Sequence, residues 1–178
     1  MKQFVLRRFE EIRASCATLP DRAVWRRCIR YYLVFAVCAG GIGIGSGLLR
    51  FEPIRSTPIA VILLAIYLLF SPAIVEEIVF RAALLPRNRD GLSRGALLVI
   101  CTAALCLFVT SHAINGLYFR HVAVFLNPWF LLMAALLGAT CIAIYLTSRS
   151  IWPGVVAHWL TVLIWIALLG GERLLERG

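Results

Sequence analysis

The chain has 178 residues, of which 61% are hydrophobic and only 15% charged, and it carries a net charge of +9. Soluble domains carry about 45–50% apolar and about 25% charged residues, so this composition excludes a disordered chain, a secreted disulfide scaffold and an ordinary soluble enzyme. A mean hydropathy of +0.88 indicates that lipid is the solvent. The basic residues are therefore expected beside anionic lipid headgroups, and nucleic acid is not an expected partner.

The N-terminal 30 residues are polar and basic, unlike the rest of the chain. Four apolar side chains fall near one face of a helix drawn through this segment: Val5, Phe9, Ile12 and Cys16. This spacing predicts an amphipathic helix at the membrane interface, with a loosely ordered basic tail as the alternative. We therefore divide the chain into a basic amphipathic segment, 1–30, and a membrane-embedded helical domain, 31–178.

Five long apolar segments follow this basic region. They cover roughly residues 31–49, 58–85, 96–119, 128–147 and 151–169. Each approaches or exceeds the ~20 helical residues that cross a bilayer core. An open sheet would leave backbone groups unsatisfied in hydrocarbon, so we predict an all-α, polytopic bundle of about five transmembrane helices plus the interfacial helix.

The distribution of lysine and arginine predicts how this bundle is oriented. Twelve of these residues fall on the side of the N-terminus and five on the opposite side. Cytoplasmic loops carry the excess of positive charge, so we expect the N-terminus in the cytoplasm and the chain in the inner (plasma) membrane.

The second apolar segment contains two adjacent carboxylates, Glu76 and Glu77, followed by Arg81. Glu77 and Arg81 are four residues apart with the acid first, so they can pair on one helix face and lower the cost of burying both charges. Glu76 lies about 100° further around the helix and is free to face an internal cavity. Pro72 cannot donate to the carbonyl of Leu68, which predicts a kink one turn before the carboxylates.

The third segment contains His112, with Phe108 and Asn115 on the same helix face. An aromatic ring one turn away can fix the plane of an imidazole, and an amide at Asn115 can bind substrate or orient a water. A lone histidine in a membrane helix is more often a packing residue, but a second histidine and a carboxylate pair on other helices favour a site.

The fifth segment contains that second histidine, His158. Gly154 and Thr161 share its face, which leaves room and a hydroxyl beside the ring. Together with the third segment, this gives three candidate substrate contacts: Phe108, Asn115 and Thr161.

One carboxylate and two imidazoles can hydrolyse an amide bond in two ways. Glu76 and a histidine can take the proton of a shared water while a second imidazole stabilises the oxyanion. Alternatively, Glu76, His112 and His158 bind zinc, which acidifies its bound water. No H-E-x-x-H motif is present, and Asp21 and Asp90 lie outside the apolar segments, which excludes an aspartyl dyad.

Three ordered motifs resemble those of the CPBP family, the CAAX-processing and bacteriocin-processing (ABI) membrane proteases. E-E-x-x-x-R runs from Glu76 to Arg81, F-x-x-x-H runs from Phe108 to His112, and His158 follows a Ser-Ile-Trp-Pro lead-in. The resemblance covers roughly residues 70–165. It implies an α-helical intramembrane endopeptidase that cleaves a membrane-associated peptide or protein.

The resemblance also implies a role for each motif residue. Glu76 and His112 would activate water, His158 would stabilise the oxyanion or bind a metal, and Glu77 and Arg81 would support the site. Zinc-dependent and metal-free catalysis both stay open.

One departure from the family pattern leaves other functions open. The family often has Asn or Asp four residues after the third histidine, and here Val162 stands there, with Thr161 as a substitute. A non-catalytic membrane adaptor or bacteriocin-immunity protein on the same fold is the main alternative to the protease. A small transporter that uses the carboxylate pair for proton coupling is a third interpretation.

Overall fold

A computed structural model describes residues 2–119 and 122–176, and this part of the chain is helical without a β-strand. The predicted all-α bundle is therefore confirmed. Its helices are α1 (Lys2–Ala17), α2 (Arg22–Gly45), α3 (Pro58–Ala82), α4 (Arg94–Ile114), α5 (Pro128–Ser148), α6 (Trp152–Leu168) and α7 (Gly171–Glu176).

Short polar side chains fix where four of these helices begin. Each accepts a hydrogen bond from a backbone N–H of the first turn, which has no partner inside the helix. The capping residues of α2 to α5 are Asp21, Thr57, Ser93 and Asn127. The turn from α5 to α6 passes through Arg149, whose left-handed backbone (φ 53°) ends α5 sharply.

Among the described residues, four helices are long and apolar enough to cross a membrane: α2, α3, α4 with its continuation to Tyr118, and α5. The fifth expected span, α6, has only 17 residues. At 1.5 Å per residue it reaches about 25 Å, and its length is at the short end of the range of about 17–25 residues that cross a bilayer. α2 also begins earlier than expected, because the capping residue Asp21 starts the helix before the arginines and not after them. The boundary at residue 30 therefore falls inside a helix.

The predicted kink at Pro72 is confirmed. Ser71 has non-helical backbone angles (φ −137°, ψ 110°) and interrupts α3. The helix is π-helical over Leu69–Ile74 and again over Ile78–Ala82, with one short α-helical turn, Val75–Glu77, between them. Glu76 and Glu77 thus lie between two widened turns, an arrangement that often accompanies functional sites.

The core lies where α3, α5 and α6 come together, and α5 also packs against α2 and α4. Tyr145 of α5 and Val155 of α6 are almost completely buried there, next to Ala73 and Ala82 of α3. Small residues on α3 let the helices approach closely, as is usual where lipid supplies no hydrophobic drive for association.

α1 lies across the end of the bundle where α3 and α5 finish and α6 starts. Ile12 and Cys16 pack on the core, and the buried Ser15 hydroxyl lies 2.9 Å from the Tyr145 hydroxyl. Phe9, which shares the predicted apolar face, is 70% exposed, and the side chain of Val5 lies outside the described part. α1 is therefore an ordered helix docked against the bundle by one side.

Candidate active site

The most deeply buried part of the site is the ion pair between Glu77 and Arg81 of α3. Arg81 Nε lies 3.3 Å from Glu77 Oε2, and both side chains are 1% exposed. The predicted pair is therefore present, as a close ionic contact without the alignment of a full hydrogen bond. Arg81 Nη2 also donates a long hydrogen bond (3.5 Å) to the carbonyl of Gly138 on α5, so the charge is shared between two helices.

His158 of α6 lies between the two glutamates of α3. Its Nδ1 atom is 3.2 Å from Glu77 Oε1, and its Nε2 atom is 3.7 Å from Glu76 Oε2. A carboxylate that pairs with arginine can only accept a hydrogen bond, so the His158 Nδ1 atom carries a proton. The other ring nitrogen, Nε2, faces Glu76.

Glu76 is the more accessible of the two carboxylates. Its side chain is 25% exposed, whereas that of Glu77 is 1% exposed. The Glu76 Oε2 atom is nevertheless buried and has no hydrogen-bond partner among the described residues. The Glu76 side chain is thus partly accessible from outside, and its Oε2 atom can still accept a hydrogen bond beside His158.

Phe108 of α4 joins the charged part of the site to both histidines. Its ring is 1% exposed and lies 4.4 Å below the guanidinium carbon of Arg81, a favourable cation–π contact. The centroids of His112 and His158 lie 4.7 Å and 6.0 Å from the Phe108 centroid. One buried ring therefore contacts Arg81 and both imidazoles.

His112 is positioned by a hydrogen bond within its own helix and by neighbouring aromatic rings. The Nδ1 atom lies 2.9 Å from the carbonyl oxygen of Phe108, one turn earlier, so Nδ1 is the donor. The rings of Phe125 and Phe130 lie 6.2 Å and 5.9 Å from the imidazole. A neutral His112 therefore has a free lone pair on Nε2, which suits it to accept a proton.

Residues 58–164 match the Rce1-like family, described as type II CAAX prenyl endopeptidase Rce1-like. The chain belongs to this family. The match covers more than half of the chain, from the start of α3 into α6, and it confirms the resemblance that the three motifs gave. This Rce1-like chain is thus a multi-pass membrane protein of a protease family. No curated protein and no solved structure shows significant similarity to it.

The remaining predicted residues of the Rce1-like chain lie near the site in different ways. The Thr161 hydroxyl donates to the Ala157 carbonyl of its own helix (2.8 Å) and lies 3.5 Å from the Tyr32 hydroxyl of α2. Asn115 begins a π-helical turn that continues α4, and its side chain is half-buried. The structure therefore brings Glu76, Glu77, Arg81 and His158 together, and Phe108 connects His112 to them. Thr161 is engaged with α2.

Gly154 also lies at the site. From the sequence we predicted only that it leaves room beside the His158 ring, and not that it contacts Glu77. A Cβ atom placed on Gly154 would lie 2.7 Å from Glu77 Oε2. The backbone of α6 therefore packs directly on the buried carboxylate. Cys141 of α5 lies on the same side, because its thiol is 3.9 Å from the Gly154 carbonyl oxygen. The sequence feature that could have indicated this contact is the Ser-Ile-Trp-Pro-Gly segment that precedes His158.

The donor groups of the site do not form a three-ligand metal set. Within residues 2–119 and 122–176, no three His, Cys, Asp or Glu side chains are grouped so that they could hold a metal ion. Glu77, the closest further carboxylate, is already paired with Arg81. The described residues of the site therefore do not fit a three-ligand zinc centre.

Proposed function

We propose that this protein is an intramembrane endopeptidase in which Glu76 activates water to hydrolyse a peptide bond of a membrane-associated substrate. The observation that carries the proposal is the 3.7 Å approach of His158 Nε2 to a partly exposed Glu76, with the Glu77–Arg81 pair directly behind. A carboxylate with a polar partner at this distance can share a water with it. Membership of the Rce1-like family supports the same reaction class.

In the proposed reaction, the Glu76 carboxylate takes a proton from water as the water oxygen attacks the carbonyl carbon of the substrate. The carbonyl oxygen becomes an oxyanion in the tetrahedral intermediate. Glu76 then gives the proton to the leaving amine as the C–N bond breaks, which restores the carboxylate. Such general acid–base catalysis typically contributes about 10²–10⁴ in rate.

The two histidines suit different parts of this reaction. Both nitrogens of His158 face a carboxylate oxygen, so a doubly protonated ring has an acceptor for each N–H and can turn its Nε2–H to the oxyanion. His112, whose Nδ1 donates to the Phe108 carbonyl, has its Nε2 lone pair available to accept a hydrogen bond that orients the attacking water, while Glu76 takes the proton. This assignment agrees with the one that the resemblance implied.

The charge distribution and the family support a proposal for the membrane environment and the substrate. The excess of lysine and arginine at the end that carries α1 supports a cytoplasmic N-terminus and a plasma-membrane location. The family description supports a prenylated CAAX segment as the substrate.

The test uses the purified full-length protein in lipid vesicles, with quenched fluorescent CAAX peptides that carry or lack a farnesyl group on cysteine. We expect cleavage of the farnesylated peptide, and a loss of at least about 100-fold in Glu76→Gln. The matched control is Glu52→Gln, a partly exposed glutamate that pairs with Arg173 away from the site. We also expect cleavage to continue when a zinc chelator is present.

Two results would overturn the proposal. The first is wild-type proteolysis by a folded Glu76→Gln protein, which would remove Glu76 from the reaction. The second is cleavage of neither peptide, nor of a wider library of membrane-anchored peptides, by the wild-type protein. The adaptor interpretation would then be the better one.

A further inference from the structure

α1 lies outside the part of the chain that matches the family, yet it contacts both helices that carry the reacting groups. Its contacts fall at the last residues of α3 and the first residues of α6. Glu76 and Glu77 are on α3, and His158 is on α6. A helix that contacts both ends is therefore placed to influence how α3 and α6 pack beside the site.

Arg8 contacts the last residue of α3 and the turn that follows it directly. Its Nη2 atom donates to the carbonyl oxygens of Ala83 (2.7 Å) and Leu85 (3.2 Å), with a longer contact to Ala82 (3.4 Å). Its Nη1 atom pairs with Glu11 of the same helix. Carbonyls at the C-terminal end of a helix have no partner within it, and this end carries partial negative charge, so a guanidinium binds there favourably. Ala82 ends α3, Ala83 is its capping residue, and Leu85 lies two residues further on.

The capped segment leads directly to the buried ion pair. Ala82 follows Arg81 in sequence, and Ala82 and Leu85 are completely buried. The Ala83 N–H donates to the Ile78 carbonyl (2.8 Å), and the Leu85 N–H donates to the Arg81 carbonyl (2.9 Å). Loosening this last turn would therefore move the backbone that holds Arg81, and with it Glu77.

The opposite end of α1 and the residue beyond it hold the start of α6. Trp152 Nε1 donates to the carbonyl of Cys16 (2.7 Å), and the Ser150 hydroxyl donates to the carbonyl of Thr18 (2.6 Å). His158 is six residues after Trp152 on the same helix. A side chain of α1 thus binds the end of α3, and side chains at the start of α6 bind the end of α1.

We propose that Arg8 is a positioning residue that sets the Glu77–Arg81 pair, and through it His158, for the reaction proposed above. The proposal rests on the endopeptidase activity proposed above, because its effect on kcat is measured with that activity. Its structural part, the capping of α3 by α1, is measured independently of any activity.

The experiment compares three full-length variants with the wild-type protein in vesicles. Arg8→Met removes the donors at similar side-chain length, Arg8→Lys keeps a charge and donors, and Arg13→Ala changes an exposed arginine of the same helix. Amide hydrogen exchange is followed at Ala83 and Leu85, and kcat and KM are measured separately. For Arg8→Met we expect at least about tenfold faster exchange at both amides and about a tenfold lower kcat at unchanged KM. Arg8→Lys should recover much of both losses, and Arg13→Ala should match the wild type.

Each contrary result removes a specific part of the proposal. Unchanged exchange at Ala83 and Leu85 in Arg8→Met would show that Arg8 does not hold the end of α3. Faster exchange with a wild-type kcat would leave α1 a structural role only and overturn the positioning role. A raised KM at unchanged kcat would place Arg8 in substrate binding. If the wild-type protein cleaves no peptide, the proposed function fails, whereas the exchange result still decides whether Arg8 caps α3.

Discussion

Replacement of Gly154 by alanine tests whether the position of Glu77 controls the reaction. The new Cβ atom would lie 2.7 Å from Glu77 Oε2 and 3.3 Å from Glu77 Cδ. Ordinary contact of such atoms begins at 3.4 Å, so α6 and the carboxylate must separate by about 0.7 Å. The end of a glutamate side chain usually moves aside at little cost.

Glu77 cannot move aside freely, because three groups hold it. It is completely buried, it pairs with Arg81 at 3.3 Å, and it receives the His158 Nδ1 hydrogen bond at 3.2 Å. A displacement of Glu77 therefore also displaces His158 relative to Glu76. Since misplacement of a reacting group by about 1 Å can cost about 100-fold in rate, we expect kcat to fall by about 10- to 100-fold. Overpacking should also destabilise the protein by about 1–3 kcal/mol.

The assay is cleavage of the quenched peptide by Gly154→Ala, with kcat and KM measured below the temperature at which the variant unfolds. Gly41→Ala of α2 is the matched control, because a Cβ atom there meets nothing within 4 Å. The control should retain wild-type kcat and stability. A folded Gly154→Ala protein with wild-type kcat would refute the reasoning, since the carboxylate would then tolerate the displacement without effect on the chemistry.

Two further predictions concern stability and thiol reactivity. Arg81→Met leaves Glu77 buried without its cation and should lower the free energy of unfolding by about 3–5 kcal/mol, measured by denaturant titration in detergent; a loss below about 1 kcal/mol would contradict the buried pair. Burial raises the pKa of the Cys16 thiol on α1, so its thiolate fraction stays small at neutral pH. Maleimide labelling of Cys16 should therefore keep accelerating as the pH rises through 9, and a plateau below pH 9 would refute this.

Local features of the fold followed from the sequence because local chemistry determines them. The length of the apolar segments predicted a helical membrane bundle, since only helices satisfy every backbone group in hydrocarbon. The acid-first spacing of Glu77 and Arg81 predicted their pair, and the missing N–H of Pro72 predicted the interruption at Ser71. The length of α6, 17 residues, could not be read from the apolar segment alone, because apolar composition does not show where a helix begins and ends.

The tertiary structure decided which groups meet. His158 is 81 residues from Glu77 in the chain, and no local rule sets the distance between their atoms. The contact of Gly154 with Glu77, and the capping of α3 by Arg8, likewise depend on how α6 and α1 pack against α3. The sequence by itself identified the ionisable residues that lipid makes costly to bury, while only the packing of distant helices determined that their charges are shared in one site.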